Sequence, residues 1–166
     1  MILKTERLLI DSIKTEDYDV LYQKIFSDTK VMKYALMGKV LTQKESQEFI
    51  EKYFSKNSIS GFLVIREQSI GALVGFTGLL NYTEMENCME FGFVLASDSW
   101  GKGYATEIGR AMISYAKEKY HDMDIIATVN PLNNSSINVL KKLDLEYIKT
   151  VNDKQRGKRA ILQLKN

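Results

Sequence analysis

The chain has 166 residues, of which 45% are hydrophobic and 27% charged, with one proline and a net charge of +2. A chain of this length and composition can bury a sizeable core, so we expect one domain over residues 1–166. The near balance of charge argues against nucleic acid as the main partner. The single cysteine, Cys88, excludes an intramolecular disulfide, and the single histidine, His121, makes a metal site unpromising.

Two segments bear on localisation. The N-terminal residues interleave apolar with charged side chains and contain no signal-peptide core. The longest nearly apolar run, residues 70–80, is far shorter than the roughly 20 residues that cross a bilayer. We therefore expect a cytoplasmic protein with no membrane partner.

The first half of the chain mixes predicted helices and strands. Residues 8–12 are predicted as a strand, and Thr15 is predicted to open a helix because a hydroxyl before acidic residues suits a helix N-terminus. Thr42 and Glu45 have the spacing of a capping box, which predicts a second helix over residues 42–54. The strands predicted next are residues 61–67 and 69–80.

The second half alternates strands with helices. In residues 88–95 apolar side chains recur at every second position, which predicts a strand with one apolar face. After Gly103 the apolar period becomes helical and continues to Tyr120. The remaining predictions are a strand at 124–129, a short helix from Asn134 or Ser135, and strands at 147–152 and 160–165. These elements predict a mixed α/β domain.

Two glycines at alternate positions, Gly101 and Gly103, lie between the strand that ends at Leu95 and the helix that follows. A helix N-terminus leaves backbone N–H groups unpaired, and glycine lets an anion approach them closely. The segment is therefore predicted to hold a pyrophosphate. It does not fit a dinucleotide fingerprint, because Thr106 stands where glycine or alanine is needed, or a P-loop, because Lys102 is followed by glycine.

Two blocks of sequence resemble the GNAT superfamily of N-acetyltransferases. The stretch Trp100-Gly-Lys-Gly-Tyr-Ala-Thr-Glu resembles its acetyl-CoA loop, and Asn130-Pro-Leu-Asn-Asn-Ser-Ser resembles its Asn-x-x-Asn-x-x-Ser element. The N-terminal stretch from Val31 to Tyr34 is similar to the branch that modifies ribosomal-protein N-termini. The resemblance implies a single mixed, mostly antiparallel sheet of about six to seven strands, splayed at the CoA site, with helices on both faces.

The chain departs from the family pattern at two positions. Asp98 stands where the family usually has glutamine or arginine, which removes one typical contribution to the loop. Asp144 replaces the usual glycine after the last helix, but aspartate tolerates a left-handed backbone better than most residues. We expect the loop and the turn to survive both changes.

The resemblance implies direct acetyl transfer from acetyl-CoA, with no metal, to a primary amine. The acceptor it suggests is a ribosomal-protein N-terminus or a small-molecule amine, and pairing of two copies is left open. The residues expected to hold the coenzyme are Phe93, Val94, Leu95, Trp100, Gly101, Lys102, Gly103, Tyr104, Ala105, Thr106, Asn130, Asn133 and Ser136. The alternative function is a non-catalytic CoA-binding module with a regulatory or structural role.

Two residues are the candidate catalytic groups. Glu90 is the candidate base, acting through water; the alternative is a buried glutamate bonded to backbone or to a basic residue. Ser136 is the candidate acid, because Leu140 occupies the position where many relatives carry a tyrosine; the alternative is a helix-start residue that bonds backbone amides. For Glu107 a solvated or salt-bridged position on the helix is favoured over a catalytic role. Residues 154–159 form a basic turn that could steer an acidic substrate, although a solvated hairpin end is favoured.

Overall fold

The structure, a computed structural model, describes residues 2–56 and 60–165, which form one eight-stranded sheet flanked by helices. The strands are β1 (Leu3–Lys4), β2 (Leu8–Asp11), β3 (Gly61–Glu67), β4 (Leu73–Asn81), β5 (Cys88–Leu95), β6 (Asp124–Val129), β7 (Leu145–Asp153) and β8 (Gly157–Leu164). The helices are α1 (Asp17–Leu21), α2 (Thr29–Met32), α3 (Gln43–Tyr53), α4 (Tyr104–Lys119) and α5 (Asn134–Lys142), with a π-helical turn at Tyr22–Phe26 and a 3-10 turn at Ser97–Ser99.

The sheet is mixed, with the strand order β1-β2-β3-β4-β5-β6-β8-β7. Neighbouring strands run antiparallel everywhere except at β5 and β6, which run parallel. Helix α4 makes the crossover between these two strands, since a parallel connection needs a long return path. The parallel pair therefore lies directly beside the N-terminus of α4.

β5 and β6 separate after a short stretch of pairing. Their last paired residues are Glu90 and Ile126. Beyond that point β5 stays with β4 as far as Leu95, whereas β6 stays with β8 as far as Val129. The expected splay of the sheet is confirmed, and a gap opens between the C-terminal ends of two neighbouring strands.

Each face of the sheet has its own apolar layer. Helices α4 and α5 cover one face, where Ile108, Met112 and Leu140 belong with Phe91 to one buried apolar cluster. Helices α1 to α3 cover the other face with a cluster of aromatic rings at Phe26, Phe49, Phe54, Phe62 and Phe76. Helices on both faces were expected and are found.

The observed elements differ from the predicted ones mainly at their ends. The sheet has eight strands rather than six to seven, because the two-residue β1 adds an edge strand that carries too few residues for a periodic pattern. β4 begins at Leu73 rather than at residue 69, because the chain turns there with Gly71 in the left-handed region. The helix predicted from Thr15 begins at Asp17, whose carboxylate accepts from the Lys14 amide and from Arg66.

The capping box predicted at Thr42 is confirmed. The Thr42 hydroxyl accepts from the Glu45 amide at 3.2 Å, and the Glu45 carboxylate accepts from the Thr42 amide at 2.8 Å. These two bonds satisfy backbone donors that a helix start otherwise leaves free. In the part of the chain that the structure describes, no helix is long and apolar enough to cross a membrane.

Candidate active site at the gap between β5 and β6

A cavity of about 830 Å³ occupies the gap between β5 and β6. This volume lies in the range of small-molecule and cofactor sites. Its walls come from β5, the end of β6, the start of α4, α5, the segment that follows α2, and the hairpin between β7 and β8. The crossover that splays the sheet thus brings residues distant in sequence to one concave surface.

The segment of residues 101–106, all of which except Lys102 line this cavity, carries a row of free backbone donors. Gly101 and Gly103 adopt left-handed backbones, with φ of 73° and 79°. The first bond of the helix runs from the Glu107 amide to the Gly103 carbonyl at 3.1 Å, and Gly103 has no side-chain cap. Among the hydrogen bonds of residues 2–56 and 60–165, none is donated by the backbone N–H groups of residues 101–106. Six consecutive unpaired amides at a helix N-terminus suit a diphosphate.

Arg7 holds this loop from outside the cavity. Its Nη1 donates to the Lys102 carbonyl at 2.9 Å, and its Nε donates to Glu107 Oε2 at 2.8 Å. Burial alone would raise the pKa of Glu107, but the hydrogen bonds from Thr5 and from Arg7 outweigh it and lower that pKa. Glu107 therefore has the salt-bridged position that was favoured for it.

The strand β5 points backbone groups into the gap. The Ala96 amide donates to the Val74 carbonyl at 2.9 Å, and the β4–β5 register continues this pairing along the strand. Because antiparallel residues alternate between facing and leaving the partner strand, the backbone groups of Phe93 and Leu95 point away from β4. Trp100 Nε1 donates to the Leu95 carbonyl at 3.0 Å, which agrees with that direction and fixes the half-exposed indole at the end of the strand.

Glu90 lies on the cavity wall and is paired with a cation. Its side chain is 12% exposed, and its Oε1 accepts from Arg156 Nη1 at 2.8 Å and from Thr128 Oγ1 at 2.6 Å. Burial lowers the pKa of Arg156, but the charges and hydrogen bonds of Glu90 and Asp153 outweigh it and raise that pKa. The alternative of a glutamate bonded to a basic residue is thus observed. Both described bonds fall on Oε1, so Oε2 is left for a water or an amine.

Ser136 and Asn133 form a linked pair at the start of α5. Asn133 caps the helix, since its Oδ1 accepts from the Ser136 amide at 3.2 Å. Asn133 Nδ2 donates to Ser136 Oγ at 3.0 Å. Because the hydroxyl oxygen accepts this bond, its own hydrogen is free to donate elsewhere. Among the described residues no backbone amide donates to the Ser136 hydroxyl, since Asn133 caps the helix in its place, and the geometry leaves Ser136 a proton to offer.

The cavity collects most of the residues that the sequence pointed to. The candidate residues that line it are Glu90, Phe93, Val94, Leu95, Trp100, Gly101, Gly103, Tyr104, Ala105, Thr106, Asn133 and Ser136. Lys102 and Asn130 are not on its wall. The Lys102 carbonyl is held by Arg7, and Asn130 Oδ1 instead accepts from the Leu132 amide at 3.0 Å, which shapes the turn after β6.

The two departures from the family pattern have local explanations. Asp98 Oδ2 accepts from Lys24 Nζ at 2.9 Å, so its charge is paired before the α4 N-terminus. Asp144 has a φ of 64°, which is the left-handed backbone expected of it. Both the loop and the turn keep a defined geometry despite the substitutions.

Sequence reasoning did not predict that Arg156 and Arg159 line the cavity. The expectation of a solvated hairpin end at residues 154–159 is correct for Lys154 and Lys158, which are exposed, but wrong for Arg156 and Arg159, which turn inward. The structural reason is that β8 begins at Gly157, not at residue 160, so Arg159 lies within the strand. Its position two residues before the apolar Ile161 is the signal that could have placed it on a buried face.

Comparisons with known proteins agree on one family. A family model described as an acetyltransferase (GNAT) domain matches residues 7–146. YnaD, an uncharacterized N-acetyltransferase of Bacillus subtilis (strain 168), is 31% identical over 145 residues, which cover 87% of this chain and 82% of the relative. The solved structure of an acetyltransferase (GNAT family) from Bacillus anthracis has a TM-score of 0.82 at 25% identity and covers 99% of this chain and 98% of that one.

A third comparison concerns a protein solved with coenzyme A. This alpha-N-protein acetyltransferase of a ribosomal protein has a TM-score of 0.74 at 12% identity, with 98% of this chain and 97% of that chain covered. At such an identity the likeness is one of fold. It agrees with the arrangement of the sheet and of the helices around the gap.

Proposed function

This chain belongs to the GNAT family of acetyltransferases, and from that membership we propose that it transfers an acetyl group from acetyl-CoA directly to a primary amine. The single observation that carries the proposal is the row of six free amides at residues 101–106 beside the gap. A diphosphate is the group of this co-substrate that such a row fits, because both the amides and the helix dipole favour negative charge.

In this proposal the gap holds the arm that carries the acetyl group. The outward N–H groups of Phe93 and Leu95 would hydrogen-bond to it as a neighbouring strand does. A backbone donor aimed at a carbonyl oxygen stabilises the negative charge that grows there during attack. A donor of this kind typically lowers the barrier by about 3 kcal/mol.

Glu90 is proposed as the base. The amine nitrogen forms a bond to the acetyl carbon while the bond from that carbon to sulfur breaks, and the amine must lose a proton. Glu90 would take it through a water at Oε2, while Arg156 and Thr128 hold Oε1 in place. Support for the role is the position of this carboxylate on the wall of the cavity, where it is the one carboxylate among the described lining residues.

Ser136 is proposed as the acid that gives a proton to the departing sulfur. Its hydroxyl accepts from Asn133 and is therefore oriented to donate its own hydrogen. A thiol has an ordinary pKa near 8.5, so a thiolate leaves readily even without help. We therefore assign Ser136 a smaller share of the rate than Glu90.

The test is a panel of amines with acetyl-CoA and a free-thiol readout, beside thermal unfolding with CoA, ATP and NAD. We expect amine-dependent thiol release and stabilisation by CoA above that by the two nucleotides. Stabilisation by CoA without thiol release from any amine would favour the non-catalytic CoA-binding module. Greater stabilisation by ATP or NAD would overturn the assignment of the co-substrate.

A further inference from the structure

Arg159 is a buried cation on the wall of the cavity. The residue is 7% exposed. Its Nη2 donates to the Thr128 carbonyl at 3.0 Å and its Nη1 donates to the Tyr34 carbonyl at 3.4 Å, whereas its Nε has no hydrogen-bond partner among the described residues. Burial and the nearby charge of Arg156 lower the pKa of Arg159 to about 10, which leaves the guanidinium charged at neutral pH.

The neighbouring Arg156 shows what Arg159 lacks. Arg156 forms ion pairs with Glu90 at 2.8 Å and with Asp153 at 3.3 Å. In the ion pairs of the described residues no carboxylate lies within 4.0 Å of Arg159. Arginine is almost never fully buried unless it is paired, because an isolated buried charge is costly. The charges of Glu90 and Asp153 also act on Arg159, but both carboxylates pair directly with Arg156, so Arg159 is left able to bind an added anion.

The charge of the cavity wall points the same way. Among the described residues the wall carries five basic side chains and one acidic side chain. The acidic one, Glu90, already forms an ion pair with Arg156. The basic residues on the wall are Lys30, Lys33, Lys142, Arg156 and Arg159. Such an excess of positive charge favours an anionic ligand and disfavours a polycation.

Arg159 and Glu90 both form hydrogen bonds with Thr128. Thr128 donates from its side chain to Glu90 and accepts on its backbone carbonyl from Arg159. A group bound at Arg159 and an amine at Glu90 would therefore both lie next to Thr128. The carbonyl of Tyr34 accepts from the other terminal nitrogen of the guanidinium, Nη1.

We propose that Arg159 binds a carboxylate of the acceptor, so that the acceptor is a small amine that also carries a carboxylate, as an amino acid does. This inference rests on the proposed function and specifies its acceptor. A planar guanidinium with free N–H groups matches a carboxylate in shape and charge. A peptide N-terminus lacks the α-carboxylate, because its first carboxyl carbon is in a peptide bond.

The experiment measures kcat/KM for matched acceptors. The acceptors are free amino acids, their primary amides and the corresponding amines without the carboxyl carbon, each with acetyl-CoA and a free-thiol readout. For the wild type we expect the acid to be preferred over its amide. In Arg159→Gln we expect that preference to fall by about 10- to 100-fold through KM, the loss typical of a hydrogen bond to a charged group. Comparing the preference between enzymes cancels the different basicity of the two amines.

Two variants serve as controls. Lys158→Gln removes an exposed charge from the adjacent position of the same strand and should leave the preference unchanged. Arg159→Lys keeps a charge without the planar fork and should retain part of the preference. Equal use of acids and amides by the wild type, or a preference untouched in a folded Arg159→Gln that still binds CoA, would overturn the inference. Absence of thiol release with every amine would instead remove the proposed function.

A measurement on the wild type covers the case in which Arg159→Gln does not fold. N-acetyl amino acids and their amides are the two matched product analogues. The acid should inhibit at a concentration about 10-fold or more below the amide, since only the acid offers the carboxylate. Inhibition by the amide at an equal or lower concentration would contradict the proposal, and efficient acetylation of peptide N-termini alone would do so as well.

Discussion

Glu90 of β5 and Arg156 of the hairpin between β7 and β8 form an ion pair of 2.8 Å, although 66 residues separate them in sequence. The pair joins the two sides of the gap, since Glu90 lies on β5 and Arg156 lies in the hairpin that follows β7. Thr128 of β6 completes the contact by donating to the same carboxylate oxygen. The candidate base is thus fixed in position on three elements.

Replacing Glu90 with glutamine tests its role in proton transfer. The amide keeps the size of the side chain but cannot take a proton, so turnover should fall by about 100-fold or more while CoA affinity stays unchanged. Steady-state rates and CoA binding by calorimetry measure the two quantities. Glu86→Gln, an exposed carboxylate before the same strand, is the matched control. Full activity of Glu90→Gln across the pH range would remove Glu90 from the mechanism.

The glycine loop makes a prediction about binding. Gly103→Glu forces a side chain into a backbone with a φ of 79° and places a negative charge at the free amides, so CoA binding should be lost. Gly71→Glu has a similar φ of 69°, and a Cβ there meets nothing within 4 Å. This control should show the same backbone strain but normal CoA affinity. Unchanged affinity in Gly103→Glu would refute the placement of the diphosphate.

Ser136→Ala should have a smaller effect that depends on pH. We expect a rate about 10-fold lower near pH 7, with a deficit that shrinks toward pH 9 because a thiol with a pKa near 8.5 then leaves without a proton. A pH–rate profile of kcat measures this. Asn138→Ala, at an exposed position of the same helix, is the control. A deficit that stays constant with pH would point to a structural effect of Ser136.

The ion pair behind the loop predicts a pH-dependent stability. The folded state lowers the pKa of Glu107 below its ordinary value of 4.5, so this group stabilises the fold above that value and loses its contribution as pH falls through the folded pKa. Glu107→Gln should lower the Tm by about 2–4 °C at pH 7, and the difference should fade as the pH falls below 4.5 and through the lowered pKa of Glu107.

The control for that prediction is Glu118→Gln at the exposed end of the same helix. The Tm of this control should match that of the wild type at pH 7 and at low pH. If Glu107→Gln lowered the Tm equally at low and neutral pH, the contribution of Glu107 would come from packing and not from its charge.

Gly109 tests the contact between the two helices on one face of the sheet. A Cβ at this position would overlap Cδ1 of Leu143. Alanine favours the helix by about 1 kcal/mol over glycine, but overpacking a buried contact costs about 1–3 kcal/mol, so Gly109→Ala should be neutral to destabilising. Chemical unfolding measures it. In the Leu143→Ala background the same change should stabilise, and additivity of the two variants would contradict the contact.

Local patterns predicted much of the framework. The spacing of Thr42 and Glu45 fixes a helix start through neighbouring atoms, and the alternation in residues 88–95 follows from a strand with one buried face. The capping spacing and the alternation each depend on residues close together in sequence, so both patterns can be recognised from the sequence alone. β1 was missed because two residues carry no period, and its existence depends on pairing with β2.

The site was predictable where it depends on backbone and not where it depends on tertiary contacts. Gly101 and Gly103 indicate, from the sequence alone, a loop with exposed amides. Arg159 gives only the signal of its spacing from Ile161, because its inward direction is set by the pairing of β8 with β6 and β7. Arg156 gives none, because it lies in the turn before β8 and its direction is set by its ion pair with Glu90. A basic turn is usually solvated, and only the strand register decides which of its side chains face the core.

The short parallel pairing of β5 with β6 has a consequence for dynamics. Three residue pairs are the whole of the hydrogen-bonded bridge between a five-stranded and a three-stranded half. Amide exchange should therefore show the two halves opening with different free energies, and a ligand that fills the cleft should bring their protection closer together. Ligand binding would then stabilise the contact between the two halves of the sheet, with no change in the order of the strands.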